Sequence, residues 1–339
     1  MAKRNIVVVG TSAGGIDALR LLVSGLPKNF PAALFIVMHT GPDSPGVLTT
    51  LLHRSGPMIA VNPNDYEQIE MGHIYVAPAD HHMLLEPNRV RLSRGPKENR
   101  FRPAIDPLFR SAAQVYGPRV IGVILTGGLD DGTAGLWAIK QLGGTAVVQD
   151  PNDALFPSMP ISALTHVNVD YRLPLPEIAP LLIKLTETDI DGQPVYGRPD
   201  NLDLEVRIAK LDPAIDMDVR EIWEKSSFTC PECHGVLLRL AEGGRFRFRC
   251  HTGHAFSGDS LLAQLTENIE EQLWSSVRSI EESVILMRHL ARHENRSEAI
   301  ADELRRKADE AEERSRIVRS ALVRHEELNM ERVEEEVGS

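Results

Sequence analysis

The chain has 339 residues, a formal net charge of −11 at pH 7, 42% apolar and 25% charged residues, and 3 cysteines. The negative balance argues against non-specific nucleic-acid binding, which relies on basic surface to displace counterions. No apolar run approaches the roughly 20 residues that span a bilayer, the amino terminus enters a strand too short for a signal sequence, and the cysteines do not resemble a secreted framework, so the chain reads as a cytoplasmic protein that is not integral to a membrane.

Residues 1–187 alternate short β-rich runs with helical patterns, which predicts a doubly wound α/β fold: a mainly parallel sheet with helices on both faces. Strands are expected at 6–9, 33–38, 73–77, 89–92, 120–125 and 145–149, with helices at 16–24, 46–54, 107–116, 132–142 and 176–185. The runs 73–77 and 89–92 read as an antiparallel pair. Residues 188–225 are rich in Asp, Pro and Gly (Asp191, Pro194, Asp212, Pro213) and read as linker. A Cys/His module is expected at 226–258. The remainder, 259–339, is nearly free of Gly and Pro. There Leu262, Leu265, Ile269, Leu273, Val277, Ile280, Val284 and Met287 recur three and four apart, the stripe of a helical hairpin or coiled coil. A break is expected at 293–297, and the acidic end (Glu331, Glu334, Glu335, Glu336) reads as a frayed terminus.

Ser12 lies in Gly10-Thr11-Ser12-Ala13-Gly14-Gly15, directly after the run Ile6-Val7-Val8-Val9 and before a helix. Such a turn sits at the carboxyl edge of a sheet, where open α/β folds place their chemistry. The spelling suits a nucleophile elbow, and by itself it suits a phosphate cradle better. The second strand discriminates. A dinucleotide site wants an acidic residue at that strand's end, and this chain offers His39. The spacing is not G-x-G-x-x-G, and no Lys-Ser/Thr pair follows. Asp131 lies in another glycine-rich turn after an apolar strand. Serine needs a base, and the base needs a carboxylate to fix its tautomer, so Ser12, His39 and Asp131 are the expected triad.

These motifs, with Tyr75-Val76-Ala77-Pro78-Ala79-Asp80, Arg100-Phe101-Arg102-Pro103 and Met159-Pro160 in the same order, resemble the catalytic domain of the bacterial chemotaxis protein-glutamate methylesterases, the CheB family. The resemblance covers about the first 190 residues. It implies a serine hydrolase that removes methyl esters from glutamate side chains of methylated chemoreceptor-like proteins, through an acyl-enzyme, and it allows glutamine deamidation at the same site. It implies no catalytic cofactor. Backbone N–H groups near Ala13 and Gly128 would hold the oxyanion, Gly128 standing where the family commonly has methionine. Met159 and Pro160 are expected to line the pocket. Arg102 and Asp106 either shape substrate access or form a structural ion pair, and His81 and His82 read as surface loop residues. Because Ser12 lies so near Met1, the family's receiver domain is expected to be absent, with docking or control supplied from the carboxyl side.

Cys230-x-x-Cys233 and Cys250-x-x-x-His254 supply three sulfurs and an imidazole, the donor set of a closed structural zinc site. His234 is a weaker fourth ligand, and Phe228, Phe246 and Phe248 are expected to form the small core of this zinc-ribbon-like module. The helical tail is either a self-packing hairpin or a surface for self-association or a helical partner. The competing function is a non-catalytic signalling adaptor that uses the esterase fold as scaffold and the zinc module and tail for docking.

Overall fold

The structure, a computed structural model, describes residues 3–190, 195–211, 223–242, 245–292 and 297–325. The chain divides into two units, Met1–Ser260 and Leu261–Ser339.

In the first unit a seven-stranded sheet runs in the order β3 (Ile59–Val61), β4 (His73–Val76), β2 (Ala33–Met38), β1 (Ile6–Thr11), β7 (Val120–Ile124), β8 (Thr145–Gln149), β9 (Tyr171–Leu173). Every neighbouring pair is parallel. Strands covered on both faces read as continuous apolar runs, and all of β1 is buried. Ile6 and Val8 pack towards α3 (Ile105–Tyr116), α4 (Thr133–Gln141) and α5 (Ser158–His166). Val7 and Val9 pack towards α1 (Gly15–Ser24), α2 (Val47–Ser55) and α6 (Leu175–Glu187). The two faces of one strand thus build the two halves of the core.

The antiparallel pair is not the expected one. It joins β5 (His82–Glu86) to β6 (Arg89–Ser93), with Asn88 in the left-handed region at φ 60°. The 73–77 run instead pairs in parallel with β2 and β3. Burial explains this: Met83, Leu84 and Leu85 are fully buried beside Leu108 and Ala112 of α3, and the Leu85 N–H donates to Ser111 Oγ at 3.0 Å. His82 is fully buried within this strand, not on a surface loop.

The stretch of linker composition contains helix α7 (Leu202–Ala209). Leu202, Val206 and Ala209 join the α3 side of the core, while Leu204 and Ile208 pack with Trp223, Leu238 and Leu240. Its remaining punctuating residues Asp191, Pro194, Asp212 and Pro213 lie outside the described residues. Next comes an antiparallel sheet of β10 (Glu224–Thr229), β11 (Val236–Glu242), β12 (Arg245–Cys250) and β13 (Ala255–Ser257). The expected phenylalanine core is corrected here: Phe248 is buried, but Phe228 and Phe246 are exposed. Phe228 meets Phe248 edge-on at 5.4 Å, and the apolar partners come from α7.

A helical hairpin is formed by α8 (Gly258–Arg292), whose first three residues belong to the first unit, and α9 (Glu298–Val323); from Leu261 on it makes up the second unit. Val284, Ala308 and Ala311 form its core with Ile280 and Met287. Arg288 pairs with Asp309 and Glu312, and Arg319 with Glu281, across the two helices. Residues 293–296 of the expected break, and the acidic end at 331–336, lie outside the described residues.

Candidate active site

The order β2–β1–β7 decides which side chains meet. Thr11 is in register with Met38, so Ser12 and His39 leave neighbouring strand ends side by side, and the His39 N–H donates to the Thr11 carbonyl at 3.3 Å. The turn after β7 flanks β1 on its other side and delivers Asp131. His39 Nδ1 stands 3.1 Å from Ser12 Oγ, and His39 Nε2 stands 2.7 Å from Asp131 Oδ2. The ring nitrogen nearer the backbone thus serves the adjacent strand, and the distal nitrogen reaches the far turn. With the Nε2–H given to the carboxylate, the Nδ1 lone pair faces the serine hydroxyl, which is the tautomer a general base needs. Phe101 stacks on the imidazole, with ring centres 3.7 Å apart and planes 7° from parallel.

Two glycines permit this close assembly. A Cβ on Gly10 would run into Ile105, and one on Gly127 into the Met159 sulfur and Ser12. The first contact brings the start of α3 over β1, where the Ile105 N–H donates to Asp131 Oδ2 at 2.7 Å. The second seats Met159, fully buried, behind the serine turn, its N–H donating to the Gly127 carbonyl at 2.9 Å.

Asp131 is 2% exposed. Burial pushes its pKa up, but the His39 hydrogen bond and charge, the Ile105 N–H and the Asn99 amide together outweigh burial and hold the carboxyl below its ordinary value. Its Oδ1 accepts from Asn99 Nδ2 at 2.9 Å and from the Gly132 N–H at 3.0 Å. Two neighbouring carboxyls go the other way. Burial and the Asp131 charge push Asp106 up to about 6. Burial and the Asp259 charge push Asp130 up to about 7. Burial lowers His82, whose Nε2 lies 2.9 Å from the Pro96 carbonyl and whose Nδ1 accepts from the Ala104 N–H at 3.3 Å. It is a structural group.

An open cleft of about 570 Å³ leads to Ser12, walled by Ala13, Gly14, Met38, His39 and Phe101. Arg102 is engaged elsewhere: its Nε and Nη2 hold Asp80 at 2.8 and 2.5 Å. Asp106 accepts from the Gly135 N–H at 2.7 Å and does not pair with Arg102. Gly128 sits in the Asp131 turn beside Leu129, which has φ 60°. His81 Nδ1 lies 3.0 Å from its neighbour Ala79's carbonyl.

Behind the site lies a buried ion network in which Arg110, Arg247 and Arg249 surround Glu98 and Glu205. Arg249 reaches Glu205 at 2.6 Å and Glu98 at 3.1 Å. Its charges come from the loop after β6, from α3, from α7 and from β12, so it ties the Cys/His sheet to the catalytic region. Nothing in the local sequence flags it. Asn99, Ser257 and Ser260 also escape a sequence reading, although Asn99 adjoins the Arg100–Pro103 motif; Phe101 lies within that motif, but its stacking on His39 is not legible there.

Cys230, Cys233, Cys250 and His254 place their ligand atoms within 4.8 Å of one another. The Cys233–Cys250 sulfurs are 3.5 Å apart, and His254 Nδ1 lies 3.6 Å from Cys250 Sγ and 3.8 Å from Cys230 Sγ. Tetrahedral zinc with bonds of 2.0–2.3 Å separates its ligands by about 3.4–3.8 Å. The donor set and spacing therefore fit that ion, and Nδ1 is the histidine atom that faces it. Hydrogen bonding with Cys230 and His254 lowers Cys250 to about 3 despite its burial, while Cys230 is pushed up.

An α/β sheet with Ser, His and Asp converging at its carboxyl edge defines the hydrolase-like class of this molecule. The model of the CheB methylesterase family matches residues 7–182. A Leptospira interrogans relative is 41% identical over 186 residues, which make up 55% of this chain and 96% of the relative. The protein-glutamate methylesterase/protein-glutamine glutaminase of Thermotoga maritima is 35% identical over 184 residues, covering 53% of this chain and 54% of that protein. The Methanosarcina mazei protein named protein-glutamate methylesterase/protein-glutamine glutaminase 2 is also 35% identical, over 190 residues and 52% of its length. The crystal structure of the Thermotoga maritima CheB methylesterase catalytic domain aligns with a TM-score of 0.52 and 35% identity, covering 55% of this chain and 100% of that one. The chain belongs to the CheB methylesterase family.

Proposed function

We propose that the protein is a serine hydrolase that removes methyl esters from glutamate side chains of methylated chemoreceptor-like proteins, and that glutamine deamidation proceeds at the same site. The Ser12–His39–Asp131 chain of contacts carries this reading. Ser12 attacks the γ-carbonyl while His39 Nδ1 takes its proton. Asp131 fixes the ring tautomer and stabilises the imidazolium. Backbone N–H groups near Ala13 and Gly128 receive the oxyanion, a contribution of about 3 kcal/mol per donor. The imidazolium returns its proton to the departing methanol, and water activated by the same nitrogen releases the glutamate. Met159 shapes the site from behind the serine, and Arg102 fixes the loop that holds Phe101.

In this reading 1–187 is the catalytic domain, 188–225 its connection, 226–258 the zinc-bearing module and 259–339 the hairpin tail. The tail serves self-association or a helical partner, and the protein acts in the cytoplasm. Zinc in the Cys/His cluster is structural, since four protein ligands leave no open position. Ser12→Ala is expected to reduce methanol release from a methyl-esterified receptor by at least roughly 10⁴-fold. Activity surviving that substitution would overturn the nucleophile assignment, and inactivity of the wild type would favour the adaptor.

A further inference from the structure

Asn99 sits 3% exposed between two buried carboxyls and the start of α8. Its Nδ2 lies 2.9 Å from Asp131 Oδ1 and 3.1 Å from Asp106 Oδ2. Its Oδ1 lies 3.0 Å from the Ser257 backbone nitrogen and 3.2 Å from Ser260 Oγ. A backbone N–H only donates, so the amide atom facing Ser257 is oxygen and the atom facing the two carboxyls is the NH₂ group. Ser257 closes the arrangement, its hydroxyl donating to Asp130 Oδ1 at 2.7 Å. The loop and β13 are also joined by backbone, with the Asn99 N–H donating to the Ala255 carbonyl at 2.8 Å and the Ala255 N–H to the Lys97 carbonyl at 3.1 Å.

We propose that Asn99 is a positioning residue for Asp131, and that the β13–α8 junction sets the sense of its amide through Ser257 and Ser260. The inference rests on Asp131 being the carboxylate of the reaction. Two like charges in a low-dielectric pocket repel, and the Asp106 neighbour favours protonation at this site. One amide donating a hydrogen to each carboxyl bridges them and leaves Asp131 ionised, with Oδ2 shared between the Ile105 N–H and His39, which it orients. Were the amide reversed, its oxygen would face two carboxyls and the carboxylate would lose a donor. Residues far outside the 7–182 family region thereby complete the setting of the reacting histidine.

Asn99→Asp is isosteric. It keeps the oxygen that accepts from Ser257 and replaces the donor with a carboxyl oxygen. Methanol release from a γ-methyl-glutamyl peptide by the full-length protein is the assay, with Ser12→Ala beside it. Asn99→Asp is expected to lower kcat by about 10- to 100-fold, as for a lost hydrogen bond to a charged group, with KM within about twofold. The acid limb of its kcat–pH profile should move to higher pH, because the ionised form of Asp131 has become less favourable. A merely structural defect would lower the active fraction and leave that limb in place. Ser260→Ala removes only one anchor, so a smaller fall with the same displacement is expected, and this variant decides the matter if Asn99→Asp does not fold. In proton NMR the hydrogen between His39 Nε2 and Asp131 should broaden in both variants. Ser12→Ala inactive, with both other variants at wild-type kcat and pH profile, would overturn this inference alone. Ser12→Ala active would instead overturn the reading beneath it.

Discussion

Two consecutive aspartates, Asp130 and Asp131, show how environment separates chemically identical groups. Asp131 is held ionised by donors, while burial and the Asp259 charge push the adjacent Asp130 up to about 7, against the opposing hydrogen bond from Ser257. The sign of its linkage follows. A carboxyl raised from 3.8 to about 7 on folding gives stability that is present in full below its unfolded value and lost as pH rises through the folded one. Asp130 should therefore make the thermal unfolding midpoint of the wild type fall between about pH 4 and pH 7. Asn at position 130 still accepts from Ser257 and has no charge to bury, so Asp130→Asn should flatten that fall and melt higher at pH 8. Equal slopes in the two proteins would place the pH dependence elsewhere.

At the level of elements, helix α7 shows burial overriding local composition. Its flanks look like linker, yet Glu205 enters a network with Arg110, Arg247 and Arg249. Those guanidiniums pull its carboxyl well below the usual range despite burial. Removing one partner from such a network strands the others in a low dielectric, at a cost of about 3–5 kcal/mol. Glu205→Gln keeps the shape and loses the charge, so its unfolding free energy from urea titration should drop by that amount, the midpoint falling with an unchanged slope. A midpoint within experimental error of wild type would show the network to be replaceable. The elements that could be foreseen were those with strong local patterns. The strands expected at 33–38 and 145–149 coincide with β2 and β8, and Ser12, His39 and Asp131 were visible because each follows an apolar run. The ion network was not, because Glu98 and Arg249 are 151 residues apart and each reads locally as a surface charge. The β5 strand was missed for a similar reason: His81-His82 looked like loop until the burial of Met83 to Leu85 set its face.

Across the whole molecule, the Cys/His cluster is the tie that holds the β10–β11 knuckle to β12 and β13, and β13 is where the Asn99 loop is clasped. A sheet this small has a thin apolar core, so a four-ligand metal bound there would supply much of its rigidity. Purified protein is expected to carry one zinc per chain, and Cys250→Ser to carry none. Chelation should raise amide exchange first in β10 to β13, with the seven-stranded sheet remaining protected. Full metal-free protection of β10 to β13 would contradict a structural ion.

The buried ion network divides unevenly if the chain is cut between α6 and α7. Glu98 and Arg110 remain with the catalytic region as a charge-balanced pair. Glu205, Arg247 and Arg249 depart together, leaving one surplus positive charge without its buried counter-ion. Dependence between the two pieces is thus one-sided: the smaller one leans on the larger for neutrality, and the larger one needs no such help. A catalytic region able to stand unaided accords with the Leptospira relative, 96% of whose length lies within the aligned region. The carboxyl-terminal sheet thus takes its electrostatic anchor from a charge pair that lies wholly within the catalytic region.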